Sequence, residues 1–156
     1  VPVASSTTST TTLPDVLDIG AASVVCSRDV PFVDITFGNQ PELNGMTGTI
    51  SFFDVNGAFI SSAELVYEAG ATVRLLYPGA TVDAAGNATD WPGWMLNDDG
   101  FWVLDESDAV LRQGLTVVAE INPTATTTVT YPPATSACDS PEGPFPATAF
   151  VLPVTR

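Results

Sequence analysis

In the stretch Val33-Asp34-Ile35-Thr36-Phe37, apolar and polar residues alternate with a period of two, so Val33, Ile35 and Phe37 fall on one face. The same period returns in 72–77, where Val73, Leu75 and Tyr77 share a face, and in 115–121, where Leu115, Val117, Ala119 and Ile121 do. A helix would scatter these residues around its circumference, whereas an extended strand gathers them against a core. Hairpin signals separate the apolar runs at Asn56-Gly57, Ala69-Gly70 and Asp99-Gly100, where glycine supplies positive φ. Helical pattern is confined to 105–114, read as one short helix with Ser107 or Asp105 as its cap and Gly114 at its end. The expected fold is all-β, an Ig-like or transthyretin-like β-sandwich with at most that one helix.

The sequence of 156 residues, 45% hydrophobic with mean hydropathy +0.25, suits one domain plus short flanks. Val1 to Pro14 is low in complexity, rich in Ser and Thr and free of charge, so 1–20 reads as a stalk or N-terminal extension. The β-sandwich is assigned to 21–140. A tail over 141–156 is set apart by Pro141, Pro144 and Pro146, which donate nothing to a strand ladder. Two cysteines, Cys26 and Cys138, stand near the two ends of the hydrophobic part, and an exported chain in an oxidising compartment would pair them. The bridge would close a loop of more than a hundred residues, tie the first strand to the last and contribute roughly 4 to 5 kcal/mol.

Charge and absent residue types narrow the function. With 18 acidic residues against 4 basic ones the formal net charge is -14, which disfavours nucleic acid and anionic membrane surfaces as partners. All four basic residues are arginines, Arg28, Arg74, Arg112 and Arg156. Without histidine or lysine the chain has no His general base, no Ser-His-Asp or Ser-Lys nucleophile, no Schiff base and no His-containing metal site. No cofactor is expected. The sequence contains no apolar span of about 20 residues and no signal peptide, so no direct membrane insertion is expected.

Four features carry candidate chemistry. Trp91, Trp94 and Trp102 lie close together; exposed, they would form a platform for stacking on sugars, and buried, they would plug one end of the sandwich, the preferred reading. The acidic runs 97–100, 104–108 and 82–90 could supply oxygen ligands to calcium, but none has EF-hand spacing and solvated turns are the better account. Glu64 and Glu68 fall on one face of a strand, separated by roughly 13 Å, too far for paired-carboxylate glycoside hydrolysis. Gln40 or Gln113 could enter a Thr-Gln ester cross-link, although such domains generally also use histidine. Asn87 heads an Asn-Ala-Thr sequon, which marks an exposed turn.

Asp90-Trp91-Pro92-Gly93-Trp94, Asn122-Pro123 and Tyr131-Pro132-Pro133 leading to Cys138 resemble a domain found near the C-terminus of actinobacterial sortase-anchored surface proteins, over about Val24 to Pro141. The resemblance implies an extracellular, β-rich, non-catalytic module and supplies no active-site residues. In that setting Leu152, Pro153, Val154 and Thr155 match the first four positions of an LPxTG sorting signal, with Arg156 where glycine belongs; a C-terminal strand with Phe150, Leu152 and Val154 on one face is the other reading. The expected role is a spacer, anchor or adhesive domain whose partners are other surface-protein domains, identical subunits, or cell wall and glycans. Two further readings stand beside it. One is a non-covalent filament or surface layer built by strand addition from Val16, Leu17 and Ile19 or from 148–154; the other is a carbohydrate-binding module using the tryptophans.

Overall fold

A computed structural model describes residues 12–132 of the chain. The chain is all-β, with eleven strands among the described residues: β1 (Ile19–Ser27), β2 (Val30–Phe37), β3 (Thr47–Phe53), β4 (Phe59–Val66), β5 (Thr72–Leu76), β6 (Thr81–Val82), β7 (Ala88–Asp90), β8 (Trp94–Leu96), β9 (Trp102–Leu104), β10 (Leu115–Glu120) and β11 (Thr124–Val129). Seven of them form two antiparallel sheets, a three-stranded one in the order β1-β2-β5 and a four-stranded one in the order β11-β10-β3-β4. The other four make two small hairpins, β6-β7 and β8-β9.

The alternation in the sequence explains how the two sheets enclose one core. Val33, Ile35 and Phe37 of β2 are buried together with Ile50 and Phe52 of β3, Leu115, Val117 and Ala119 of β10 and Val129 of β11. Each of these side chains larger than alanine contributes about 1.5–3 kcal/mol when removed from water. Between the sheet ends, the Phe37 and Tyr67 rings pack with centroids 5.0 Å apart, and the Tyr67 hydroxyl donates to the Gly38 carbonyl at 3.0 Å. The hairpin glycines hold the expected conformation, with φ of +83° at Gly57, +74° at Gly70 and +83° at Gly100.

The turn joining β1 to β2 has no glycine. Ser27 pairs with Val30, so Arg28 and Asp29 form a two-residue loop, and both take positive φ, 53° and 65°. That is the twist-matched hairpin geometry usually left to Asn-Gly or Gly-Gly, which is why residue types alone do not mark it.

Two expectations need correction. The two-sheet body begins before residue 21: β1 starts at Ile19, and Leu17 is 2% exposed within the core. Gln40 fastens this segment, its Nε2 donating to the Val16 carbonyl at 2.8 Å while its Oε1 accepts the Asp18 N–H at 2.8 Å. The side chain weighed for an ester cross-link is therefore a brace, and Leu17 and Ile19 pack in the core of the domain. The helical content also differs: two short 3₁₀ turns are present among the described residues, Pro41–Leu43 and Ala109–Gln113, the second inside the segment read as a helix and ending at Gly114. Its preceding residue is Asp108, neither Asp105 nor Ser107.

Between β5 and β10 the chain makes a long insertion, 77–114, holding both small hairpins, the second 3₁₀ turn and all three tryptophans. The β10–β11 turn contains Asn122-Pro123, with a cis peptide bond.

Candidate functional site

The insertion is seated on the body by aromatic rings and polar contacts. Trp91 Nε1 donates to the Asp29 carbonyl at 2.7 Å, linking the insertion to the β1–β2 turn, and Arg28 reaches Asn87 Oδ1 at 3.4 Å beside it. Trp91 and Trp102 meet edge to face at 5.1 Å. The Tyr77 hydroxyl donates to the Leu111 carbonyl, and its ring lies 4.9 Å from that of Tyr131. Burial pushes the Tyr77 phenol above its usual range, so it remains a donor.

Trp91 and Trp94 are 4% and 2% exposed and Trp102 is half-buried, so the three rings do not form an open stacking platform. The tight turn at Pro92-Gly93 folds the first two inward, where their area is worth more against the core than in water. Gly93 permits this at φ +84°; a Cβ there would lie 2.6 Å from Arg112 Cδ.

The acidic runs serve turns. Asp54 Oδ1 accepts the N–H groups of Asn56 and Ala58 at 2.8 and 2.9 Å, and Asp83 Oδ1 accepts those of Ala85 and Asn87 at 2.9 Å. Asn97 Oδ1 accepts from Asp99 and Phe101, and Asp105 Oδ1 from the Ser107 N–H and hydroxyl. Among the described residues no three acidic or cysteine side chains are gathered closely enough to hold a metal ion. Asn87 spends its amide on Asp83 Oδ2 at 3.2 Å.

One acidic group departs from turn duty. Asp108 Oδ1 accepts the Gly93 N–H at 2.8 Å across the base of the β8–β9 hairpin. Its carboxyl is pushed up to about 6, first by burial, with the charges of Asp105 and Asp90 adding to the shift and the Gly93 hydrogen bond opposing it. Asp90 is raised as well, chiefly by burial. The sequence placed Asp105 and Asp108 in one acidic run but held no signal that Asp90, at the end of β7, acts on them.

A second candidate is the side of the body where β4 and β5 end the two sheets. At the opposite side β1 and β11 come within 8 Å of each other, Cα to Cα. With four strands facing three, β4 overhangs: Ile60, Ala63 and Leu65 are only half-buried, as are Val73 and Leu75 on β5. On the outer face, Phe59 is 59% and Val66 62% exposed. The register sets side chains there in rows, Thr128–Thr116–Phe53–Phe59, then Thr126–Val118–Ser51–Ser62, then Thr124–Glu120–Thr49–Glu64. An open groove of about 530 Å³ lies at its end, lined by Thr47, Gly48, Thr49, Glu64, Leu65 and Val66. Glu68 is not part of this face, since β4 ends at Val66. A third exposed apolar group, Met95, Leu96 and Leu104, lies on the β8–β9 hairpin.

Of the remaining predicted positions, Cys26 lies in β1 and no free cysteine is present among the described residues. Cys138, and Leu152, Pro153, Val154 and Thr155 with the rest of the Pro-rich tail, lie outside the described residues. Gln113 closes the second 3₁₀ turn. No helix among the described residues is long and apolar enough to cross a membrane. No protein-family model, curated protein or solved structure matches the chain.

Proposed function

We propose that the chain is a non-catalytic structural and interaction module of an exported surface protein, a spacer, anchor or adhesive domain. The observation that carries this reading is the employment of its carboxylates: Asp54, Asp83 and Asp105 accept local N–H groups in turns, and Asp34 is paired with Arg74 at 2.7 Å. Acidic groups used this way hold loops in shape on a durable scaffold. The strand orders β1-β2-β5 and β11-β10-β3-β4 agree with an Ig-like sandwich, a plan shared by many cell-surface domains. Cys26 is not a free thiol and Cys138 is the only other cysteine in the sequence, which supports a bridge from β1 to the segment after β11 and an oxidising compartment. The sequence resemblance to actinobacterial sortase-anchored proteins agrees with that location.

The test is a screen of the purified chain against glycoside, ester and peptide substrates, together with its mass under non-reducing conditions. The expected result is no turnover and a mass two hydrogens below the dithiol form. Turnover that survives purification and vanishes in Asp108→Asn would overturn the reading.

Strand addition between copies is a second reading, favoured by β4. It is an eight-residue edge strand without Pro, Lys or Arg, its one charge is Glu64, and its inner side chains are half-buried. Native edges are usually protected by such residues. Electron microscopy of purified protein should then show filaments that Ser62→Lys abolishes; monomers at high concentration would exclude it.

A further inference from the structure

We infer that the three-stranded sheet takes a further strand from its own chain, residues 147–154, laid along the open edge of β5 and over the overhanging inner face of β4. Counted from the flank where β1 meets β11, the orders β1-β2-β5 and β11-β10-β3-β4 leave no strand across from β4 among the described residues. The resulting seam is apolar: Ile60 and Leu65 of β4 and Val73 and Leu75 of β5 pack against the core yet stay half-buried. It also presents a row of backbone groups. The Phe37 N–H donates to the Ala71 carbonyl and the Tyr77 N–H to the Pro31 carbonyl, both at 3.0 Å, one at each end of the β2–β5 ladder. By the alternation of an antiparallel pair, Val73 and Leu75 then direct their backbone groups to β2, and Thr72, Arg74 and Leu76 point theirs away from it. The occupant must therefore be an extended segment that offers main-chain partners to those three residues and an apolar side chain at every second position to the seam.

Residues 147–154 meet both demands. Phe150, Leu152 and Val154 alternate on one face, and no residue from Gly143 to Thr155 is charged, in a chain whose net charge is -14. Pro146 and Pro153 bracket six residues, 147–152, one more than β5 has, so a ladder along the whole of β5 lacks no donor. Residues 1–11 offer no such alternation, with apolar side chains only at 1–4. Reach favours the chain's own segment over that of a second copy. Residues 133–146, extended, span up to about 45 Å, against a strand spacing of about 5 Å and a sheet of three strands. A segment tethered within that range has an effective concentration on the order of millimolar, above that of separate copies in dilute solution. The seam is distinct from the outer edge of β4, so the strand addition between copies considered above neither requires this contact nor excludes it.

Amide hydrogen exchange followed by nuclear magnetic resonance on the full chain tests this, with Val73 and Leu75, bonded to β2, as the internal reference. The Thr72, Arg74 and Leu76 amides should exchange about a hundredfold more slowly in the wild type than in Leu152→Asp, which sets a charge on the inward face, while Val73 and Leu75 stay unchanged. Equal exchange of the three edge amides in the two chains would overturn the inference. Nuclear Overhauser contacts in the wild type supply an arm that needs no variant, and they decide the matter if Leu152→Asp also loses the reference protection. The Phe150 ring should touch the methyl groups of Ile60, Leu65 or Leu75 at a concentration where sedimentation shows a single copy. Absence of those contacts sinks the proposal. Contacts that arise only in a dimer do so too, because the seam would then belong to the segment of a second copy.

Discussion

The two-sheet body and the insertion at 77–114 solve the burial problem in opposite ways. The body hides aliphatic and aromatic side chains at every second position, so its backbone ladders and its core are satisfied together. The insertion has strands of two or three residues, too short for such a ladder, and relies on Trp91, Trp94, Tyr77 and a few directed hydrogen bonds. A structure held by area tolerates small local losses, whereas one held by a few directed contacts depends on each of them and on the protonation state of its partners.

That contrast can be broken most forcefully at the centre of the body. Ile35→Ala should cost about 3–4 kcal/mol and lower the unfolding midpoint seen by far-UV circular dichroism and by tryptophan fluorescence equally. If only one probe moved, the body and insertion would be separate cooperative units. Tyr77→Phe comes next, at about 1–2 kcal/mol, because the Leu111 carbonyl loses its donor in a buried setting; the loss should be seen in the fluorescence transition.

The pH dependence is of similar size and has a definite sign. The Asp108 carboxyl is higher in the folded chain, about 6, than its ordinary 3.8, so between these values the folded state binds more protons than the unfolded one. Its contribution is complete below the lower value and is lost as pH rises through the upper one. About 1–2 kcal/mol is expected across that window, after allowance for the half-exposed position. Thermal unfolding followed from pH 4 to 7 should reveal this decline in the wild type and a flatter profile in Asp108→Asn.

The smallest effect belongs to the exposed Asp34–Arg74 pair on the outer face of the three-stranded sheet. The Arg74 guanidinium holds the Asp34 carboxyl below its usual range, so this pair helps above that range and loses its effect on acidification, the reverse of Asp108. Arg74→Ala should shift the melting temperature by no more than about 2 °C at neutral pH, less in high salt.

Much of the body was legible in the chain itself. A period of two in β2, β5 and β10 requires no partner to be recognised, because the alternation of side chains is a property of one extended strand. Gly57, Gly70 and Gly100 mark their turns for a similarly local reason, since positive φ is cheap only there. The Arg28-Asp29 turn escaped because the strands on either side impose its conformation. Leu17 looked like part of a stalk because the groups that fix this segment, the core and the Gly38 and Gln40 hydrogen bonds to its backbone, come from residues distant in the sequence.

By itself, then, the sequence determined an acidic, lysine- and histidine-free, all-β chain and the inward face of its main strands, because these follow from residue chemistry and a two-residue period. The tertiary structure alone decided which strands lie at the edges, that Trp91 and Trp94 turn inward, and that Asp90, Asp105 and Asp108 act on one another. Those outcomes depend on proximity between segments apart in the sequence, and burial and charge interaction are functions of distance in space.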